Sequence, residues 1–195
     1  MANSGSSQVI SLHHELIIAG FGGQGVLKLG QTLAEAAVCS GHEVVWTPAY
    51  GPEMRGGPAF CTVIVSSERI GSPVISHVDT AIFMDQPSVL KYQAQVRPGG
   101  NILLNSSLID ATLARTDINV YAICANKLAE EIGEGSIANM VMLGAFVHIT
   151  QLVTAESILL ALQQTLPAHR HFLIPMNAQA LQAGAEAVVA MSAGN

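Results

Sequence analysis

A short apolar run that ends in a glycine cluster constrains the fold of this chain most. Residues 15–20 (ELIIAG) are predicted to form a buried strand, and Val26–Cys39 carries apolar side chains at helical spacing. Between the two, Gly20, Gly22 and Gly25 stand in G-x-G-x-x-G spacing, which is typical of the strand-to-helix turn in dinucleotide-binding domains. The pattern predicts a strand–turn–helix unit.

Strands and helices alternate along the rest of the sequence. The further predicted strands are 43–46, 59–65, 80–84, 101–105 and 119–124, and the further predicted helices are 89–96, 126–131, 137–149, 154–166 and 177–191. Ser88 and Ser136 are the expected N-caps of two of these helices. The alternation predicts a layered α/β fold, and the hairpin-like stretch 60–74 predicts that part of the sheet is antiparallel.

The chain has the composition of a subunit. Only 11% of its 195 residues are charged and 50% are hydrophobic, so we expect other polypeptides to cover much of the surface. The net charge of −6, with eight scattered Lys and Arg residues, argues against a nucleic-acid surface. We expect a disordered segment at 1–14, one domain at 15–195, no membrane span and a cytoplasmic location.

The three cysteines do not form a metal-binding pattern. Cys39, Cys61 and Cys124 are widely separated in the sequence, which excludes the short ligand spacings of zinc sites and of an iron–sulfur cluster held by this chain alone. All three fall within predicted helices or strands and are expected to be buried, inert thiols. The sequence therefore predicts neither a metal site nor a catalytic residue.

Three roles remain open for the glycine cluster. Glycines before a helix start can bind an anion, but a dinucleotide site also needs an acidic residue at the carboxyl end of the second strand, and Glu43 lies at its amino end. The glycines can instead serve only tight strand-to-helix packing. Alternatively the loop contacts a partner subunit or its cofactor, and Gln24 favours this because its amide offers both donors and an acceptor.

A second glycine-rich loop, Tyr50–Gly57, follows the second predicted strand. We expect it at the same sheet edge as the glycine cluster, where sites form in open α/β sheets. Glu53 and Arg55 lie in this loop between prolines. They form either a local ion pair in a rigid turn or a contact point for an anionic ligand or a neighbouring subunit.

Five motifs together resemble one protein family. They are 20–26 (GFGGQGV), 50–57 (YGPEMRGG), 70–73 (IGSP), 85–88 (DQPS) and 139–145 (NMVMLGA). In this order they closely resemble the gamma subunit of 2-oxoacid:ferredoxin oxidoreductases, over roughly residues 15–190. The resemblance implies a three-layer α/β/α sandwich on a Rossmann-like mixed sheet.

The resemblance also implies a function. Such enzymes oxidatively decarboxylate a 2-oxoacid to an acyl-coenzyme A and reduce ferredoxin; thiamine diphosphate, magnesium and iron–sulfur clusters sit on alpha, beta and delta subunits. The matching residues here are Gly20, Gly22, Gly23, Gln24 and Gly25, as a candidate cofactor-binding loop, and Tyr50, Gly51, Glu53, Arg55, Gly56 and Gly57, as a candidate partner or ligand loop. Both are expected to shape a partner interface near coenzyme A.

The sequence leaves the activity of the isolated chain, the substrate and two alternative functions open. The chain is expected to be inactive alone, with a homodimer considered for its isolated state. Pyruvate, 2-oxoglutarate and branched-chain 2-oxoacids are all open as substrates, and the motifs slightly favour 2-oxoglutarate. The alternatives are a free-standing Rossmann-like nucleotide-binding module and a non-catalytic scaffold that orders its partners.

Overall fold

Six strands form the centre of the computed structural model, which describes residues 11–50, 57–110 and 113–193. The strands are β1 (His13–Phe21), β2 (Glu43–Tyr50), β3 (Pro58–Ser66), β4 (Val78–Phe83), β5 (Val96–Asn105) and β6 (Asn119–Ile123). The helices are α1 (Val26–Cys39), α2 (Gln86–Tyr92), α3 (Ala125–Ile132), α4 (Ala138–Thr150), α5 (Ala155–Thr165) and α6 (Ile174–Ala193). None of the described helices has the length and apolar character needed to cross a bilayer.

The sheet is mixed, with the strand order β2-β3-β1-β4-β5-β6. Strands β1, β4, β5 and β6 run parallel, whereas β3 is antiparallel to both β1 and β2. Because β3 reverses the direction between them, β1 and β2 end at the same edge of the sheet. The register shows this directly: Gly20 pairs with Ala59, which pairs with Tyr50.

Two hydrophobic cores cover the two faces of the sheet unequally. The larger core lies under α1, α3, α4, α5 and α6 and includes Leu33 and Phe146. On the other face the smaller core contains Val89 and Tyr92 of α2 together with Phe83 of β4. The predicted three-layer α/β/α arrangement on a mixed sheet is confirmed, with one layer much thinner than the other.

The predicted ends of β2 and the predicted hairpin differ from the structure. Strand β2 continues through Pro48 to Tyr50 instead of ending near residue 46, and an edge strand can accommodate this proline because the side without a partner needs no amide donor. The antiparallel pairing involves β3 with β1 and β2, so the stretch 60–74 is not a hairpin. Strand β1 begins at His13, two residues before the predicted start of the domain.

The two predicted serine N-caps are wrong. Asp85 caps α2, and its carboxylate accepts from the Ser88 amide at 3.0 Å, so Ser88 lies inside the first turn. Helix α2 ends at Tyr92 rather than at the predicted residue 96, because β5 begins at Val96. Likewise Glu134 accepts from the Ser136 amide at 3.1 Å ahead of a 3₁₀ turn, and α4 begins only at Ala138. In both cases a longer acidic side chain upstream takes the capping role.

Candidate functional site

The two glycine-rich segments predicted from the sequence meet at one edge of the sheet. The Gly22 amide donates to the Gly57 carbonyl oxygen at 2.9 Å, joining the loop after β1 to the residue just before β3. Tyr50 ends β2 at this edge, whereas Gly51, Glu53, Arg55 and Gly56 lie outside the described residues. The first loop and the two ends of the second, Tyr50 and Gly57, therefore lie at the predicted carboxyl edge, and the roles of Glu53 and Arg55 stay predictions.

Two glycines of the first loop are required by close packing. A Cβ atom on Gly20 would lie 2.4 Å from the Gln24 side-chain oxygen and 2.7 Å from the Met84 Cβ. Gly25 has φ +75° immediately before α1, and a Cβ there would lie 2.5 Å from the Asn139 side-chain nitrogen. Since contacts under 3 Å are repulsive and positive φ favours glycine, neither position tolerates alanine without strain. Contacts within the chain therefore determine the conformation of this loop.

Gln24 fastens the loop to the neighbouring parallel strand. Its Oε1 accepts from the Phe21 amide at 2.9 Å, and its Nε2 donates to the Met84 carbonyl oxygen at 2.7 Å, directly after β4. The side chain that sequence reasoning assigned to a partner contact therefore makes these two hydrogen bonds within the chain. Together they hold the end of β1 against the end of β4.

Asn139 is a contributor to the loop that sequence reasoning did not identify. It lies in the first turn of α4, is almost fully buried, and donates from Nδ2 to the Gly25 carbonyl oxygen at 3.2 Å. One signal was available, because Asn139 is a polar residue at the start of an otherwise apolar helix. A buried polar side chain in such a helix needs a partner, and here the partner is the glycine loop.

The sheet topology does not match a dinucleotide site. Such a site takes its ribose-binding acid from the strand next to β1, but here β3 separates β1 from β2, which places the end of β2 two strand spacings away, roughly 10 Å. Glu43 pairs with Ser66, which pairs with His13, so Glu43 lies at the opposite edge from the glycines. The position of Glu43 in the sequence already argued against a dinucleotide site, and the structure strengthens that argument.

A small cavity opens beside the glycine loop. It encloses about 60 Å³ and is bounded by Gly20, Phe60, Asp85, Lys91 and Tyr92 among other residues. Ligand pockets typically enclose about 300–1,000 Å³, so this cavity accommodates no more than one or two waters. The Lys91 ammonium lies 4.9 Å from the Tyr92 ring centre and provides a positive charge at the rim of the cavity.

The opposite edge of the sheet carries a charged cluster that is distant from the glycines. Arg97 of β5 bridges Glu15 of β1 and Asp79 of β4, and the Glu15 amide donates to Asp79 at 2.7 Å. Beside the cluster, His14 contacts Thr80 at 3.1 Å. Burial is the main cause that lowers the pKa of His14. The cluster joins three neighbouring strands at their amino-terminal ends.

The cysteines depart from their predicted burial. Cys61 is buried, and burial raises the pKa of its thiol to about 12. Cys39 in the last turn of α1 and Cys124 after β6 are exposed, because both lie where an element ends at the surface. Within the described part of the chain, no group of three or more His, Cys, Asp or Glu residues is arranged to hold a metal ion.

Comparison with known proteins decides the family. Residues 15–187 match the family model described as pyruvate ferredoxin/flavodoxin oxidoreductase. The chain belongs to this family. The match covers both glycine-rich segments, β1 from Glu15 onward, β2 to β6 and most of α6, so the resemblance drawn from the sequence motifs is confirmed at the level of the family.

Relatives in the family are subunits of different oxidoreductases. The chain is 40% identical over 171 residues to ketoisovalerate oxidoreductase subunit VorA of Methanothermobacter marburgensis, covering 87% of this chain but only 35% of that subunit. It is 34% identical over 161 residues to 2-oxoglutarate synthase subunit KorC of Methanocaldococcus jannaschii, covering 81% of this chain and 86% of that subunit. The chain therefore spans about a third of VorA but most of KorC.

A solved structure shares the whole fold. It is the gamma subunit of a keto/oxoacid ferredoxin oxidoreductase from Geobacter sulfurreducens, which is 31% identical, with a TM-score of 0.77. The alignment covers 91% of this chain and 99% of that one. Similarity along nearly the full length of both chains indicates the same domain.

Proposed function

We propose that this chain is the gamma-type subunit of a multi-subunit 2-oxoacid:ferredoxin oxidoreductase. The observation that carries the proposal is the near full-length match, in sequence and fold, to the Geobacter gamma subunit. In such a complex a 2-oxoacid is oxidatively decarboxylated to an acyl-coenzyme A, and electrons pass to ferredoxin. Under this proposal the chain is inactive alone, and the complex works in the cytoplasm.

Partner subunits hold the cofactors in this proposal. Alpha and beta chains bind thiamine diphosphate and magnesium, a beta or delta chain holds the iron–sulfur clusters, and coenzyme A approaches the shared interface. The composition supports a covered surface, since only 11% of the residues are charged. The 2-oxoacid is not specified by this chain, because its pocket belongs to the partners, and relatives act on different 2-oxoacids by name.

The glycine edge is the proposed contact with the catalytic partners. It brings together the Gly20–Gly25 loop and the residues that flank the Tyr50–Gly57 loop, and the bond from Gly22 to Gly57 holds them in register. The Gln24 and Asn139 hydrogen bonds make the first loop rigid before any partner binds. A preformed loop loses little conformational entropy on association, which favours a specific interface.

Reconstitution tests the proposal. The chain is co-expressed with alpha-, beta- and delta-type chains from the same organism, and ferredoxin reduction is measured with pyruvate, 2-oxoglutarate and 2-oxoisovalerate in the presence of coenzyme A. We expect one complex by size-exclusion chromatography and activity that is lost when this chain is omitted. A chain that remains separate and never changes the activity of the others would contradict the proposal.

A pair of arginine variants tests the loop itself. Arg55→Ala is compared with Arg69→Ala, which removes an exposed arginine from the segment between β3 and β4. If the Tyr50–Gly57 loop serves the reaction, Arg55→Ala leaves assembly intact but lowers turnover or raises the KM for coenzyme A, while Arg69→Ala changes neither. If both variants have the same turnover and the same KM for coenzyme A, the loop does not serve the reaction and the chain acts only as a scaffold.

A further inference from the structure

A cleft of about 340 Å³ lies between α1, β2 and α5, away from the glycine edge. Its walls include Glu35 and Cys39 of α1, Trp46 of β2 and Gln164 of α5. The glycine loop precedes α1, whereas the cleft is formed by the second half of that helix. Its volume falls within the range of small-ligand sites, about 300–1,000 Å³.

The carboxylate of Glu35 has an unmet hydrogen-bonding capacity in this cleft. Its Oε1 accepts from Gln31 Nε2 at 2.8 Å, while its Oε2 is shielded from solvent and accepts no hydrogen bond. None of the ion pairs between described residues includes Glu35. A shielded carboxylate oxygen without a donor is unfavourable, and a cationic donor is the partner that best removes this cost.

Among the buried side-chain atoms without a hydrogen bond in the described part of the chain, Glu35 Oε2 is the acceptor that belongs to a wall of the cleft. The Trp46 Nε1–H is a donor that lies beside the Cys61 thiol near Gly30, so Trp46 contributes its ring to the cleft. The terminal torsion of a glutamate is broad, so a small rotation presents the Glu35 carboxylate to the cleft.

The remaining walls suit the hydrocarbon part of a cationic group. Ala34, Val38 and Val44 line the cleft together with the Trp46 side chain, and Val38 is 59% exposed at its rim. Apolar walls accommodate an alkyl stem, and an aromatic ring favours a guanidinium or ammonium group beside it. The cleft thus combines one carboxylate, one indole and an apolar lining.

We propose that this cleft binds an alkylguanidinium or alkylammonium group. The same chemistry has two sources, an arginine or lysine side chain of a partner polypeptide and a free organic cation. The net charge of −6 on the chain favours approach of either. The site is separate from the glycine edge and does not depend on the proposed enzymatic function; only the distinction between its two sources uses the proposed complex.

The single tryptophan of the chain reports on this site. Trp46 is the only tryptophan in the sequence, so its emission can be followed while the full-length protein is titrated with n-butylguanidinium or with its neutral analogue n-butylurea. We expect a saturable change with the cation and none with the urea. A cation response that does not saturate, or that butylurea reproduces, would overturn the proposal.

Two glutamate variants separate the site from a general charge effect. Glu35→Gln keeps the size of the side chain but removes its charge, and should weaken binding of n-butylguanidinium at least tenfold. Glu186→Gln is a matched control, because Gln182 donates to Glu186 at 2.8 Å with the same i,i+4 spacing but on the exposed surface of α6. Equal affinities for Glu35→Gln and the wild type would contradict the proposal, even if Trp46 responds.

Cysteine alkylation gives an independent measurement. Cys39 lines the cleft and is exposed, whereas Cys124 is exposed elsewhere and serves as an internal reference. Saturating n-butylguanidinium should slow iodoacetamide labelling of Cys39 at least threefold and leave the labelling of Cys124 unchanged, as read by peptide mass spectrometry. Equal labelling of Cys39 with and without the cation would count against the site.

Assembly with partner chains distinguishes the two sources. If a partner side chain occupies the cleft, n-butylguanidinium no longer protects Cys39 in the assembled complex, and Cys39 is already protected without it. If the natural ligand is a free cation, Cys39 stays reactive in the complex and n-butylguanidinium still protects it. Both results support the site and differ only in what fills it.

Discussion

Asn139 in α4 and Gly25 before α1 lie in contact although 114 positions separate them, and the Asn139 side chain donates to the Gly25 carbonyl oxygen at 3.2 Å. The same carbonyl accepts from the Leu29 amide at 2.9 Å, as the first hydrogen bond of α1. A Cβ on Gly25 would collide with the Asn139 amide. Helix α4 therefore holds the glycine loop from behind, and the shape of the loop depends on a residue far away in sequence.

Replacing Asn139 should loosen this contact. Because Leu29 still serves the Gly25 carbonyl, Asn139→Ala removes one hydrogen bond and some buried volume, and should lower the free energy of unfolding by about 1–2 kcal/mol. Urea denaturation measures the change. Asn119→Ala is the control, since Asn119 begins the edge strand β6 and its exposed side chain donates only to Gly99 and Asn101 of β5; it should cost less than about 0.5 kcal/mol. Equal losses in both variants would contradict a special role of Asn139.

The stability of a Gln24→Ala variant shows whether Gln24 stabilises the isolated chain or serves only a partner contact. Gln24→Ala leaves the Phe21 amide and the Met84 carbonyl without this partner, and should destabilise the isolated chain by about 2 kcal/mol. The matched control is Gln163→Ala on the exposed side of α5. If Gln24 served only a partner contact, thermal unfolding of the isolated Gln24→Ala chain would be unchanged and only assembly would suffer.

Helices α4 and α6 pack so closely that their backbones touch at two glycines. A Cβ on Gly184 would lie 1.9 Å from the Val141 carbonyl oxygen, and one on Gly144 would lie 2.0 Å from the Leu181 carbonyl oxygen. Alanine gains about 1 kcal/mol of helix propensity over glycine, but the overlap outweighs that gain. Gly184→Ala should therefore lower the free energy of unfolding by about 1–3 kcal/mol.

A second glycine provides the control for that variant. Gly135 lies in a short 3₁₀ turn, and the nearest atom to a Cβ there is 3.9 Å away, an ordinary contact. Gly135→Ala should change the melting temperature little. A stable Gly184→Ala protein, with a melting temperature equal to that of Gly135→Ala, would show that α4 and α6 can move apart without loss.

His14 should make stability depend on pH. Burial lowers its pKa in the folded chain; Asp79 and Glu15 oppose this, and Arg97 and His13 add to it. Because the unfolded chain then binds a proton more readily, the contribution of His14 to stability is fully present above its unfolded pKa of about 6.5 and is lost as the pH falls through and below that value. The free energy of unfolding should therefore decrease between pH 7 and pH 5.5.

A histidine pair isolates that effect. In His14→Gln the decrease over this pH range should be smaller, whereas His77→Gln, which changes an exposed histidine, should retain the wild-type dependence. Denaturant unfolding at several pH values measures both. Identical slopes for His14→Gln and the wild type would mean that other groups cause the pH dependence.

Local patterns predicted the elements of the fold well. The bounds of α1, Val26–Cys39, follow from helical spacing and agree with the structure, because spacing within a single helix is a local property. That the first loop and the ends of the second meet at one edge was also predictable, since strands β1 and β2 are each followed by one of them. The N-caps were harder, because Asp85 and Ser88 are both good caps by type and only the backbone geometry selects Asp85.

The sequence by itself determined the alternating α/β elements, the glycine spacing and the low charge of the surface. Only the tertiary structure decided that β3 lies between β1 and β2, and that Gln24 and Asn139 hold the glycine loop. The physical reason is the separation in sequence over which each interaction acts. Periodicity and turn residues act over a few positions, whereas strand order and buried hydrogen bonds depend on which distant segments pack together in the folded core.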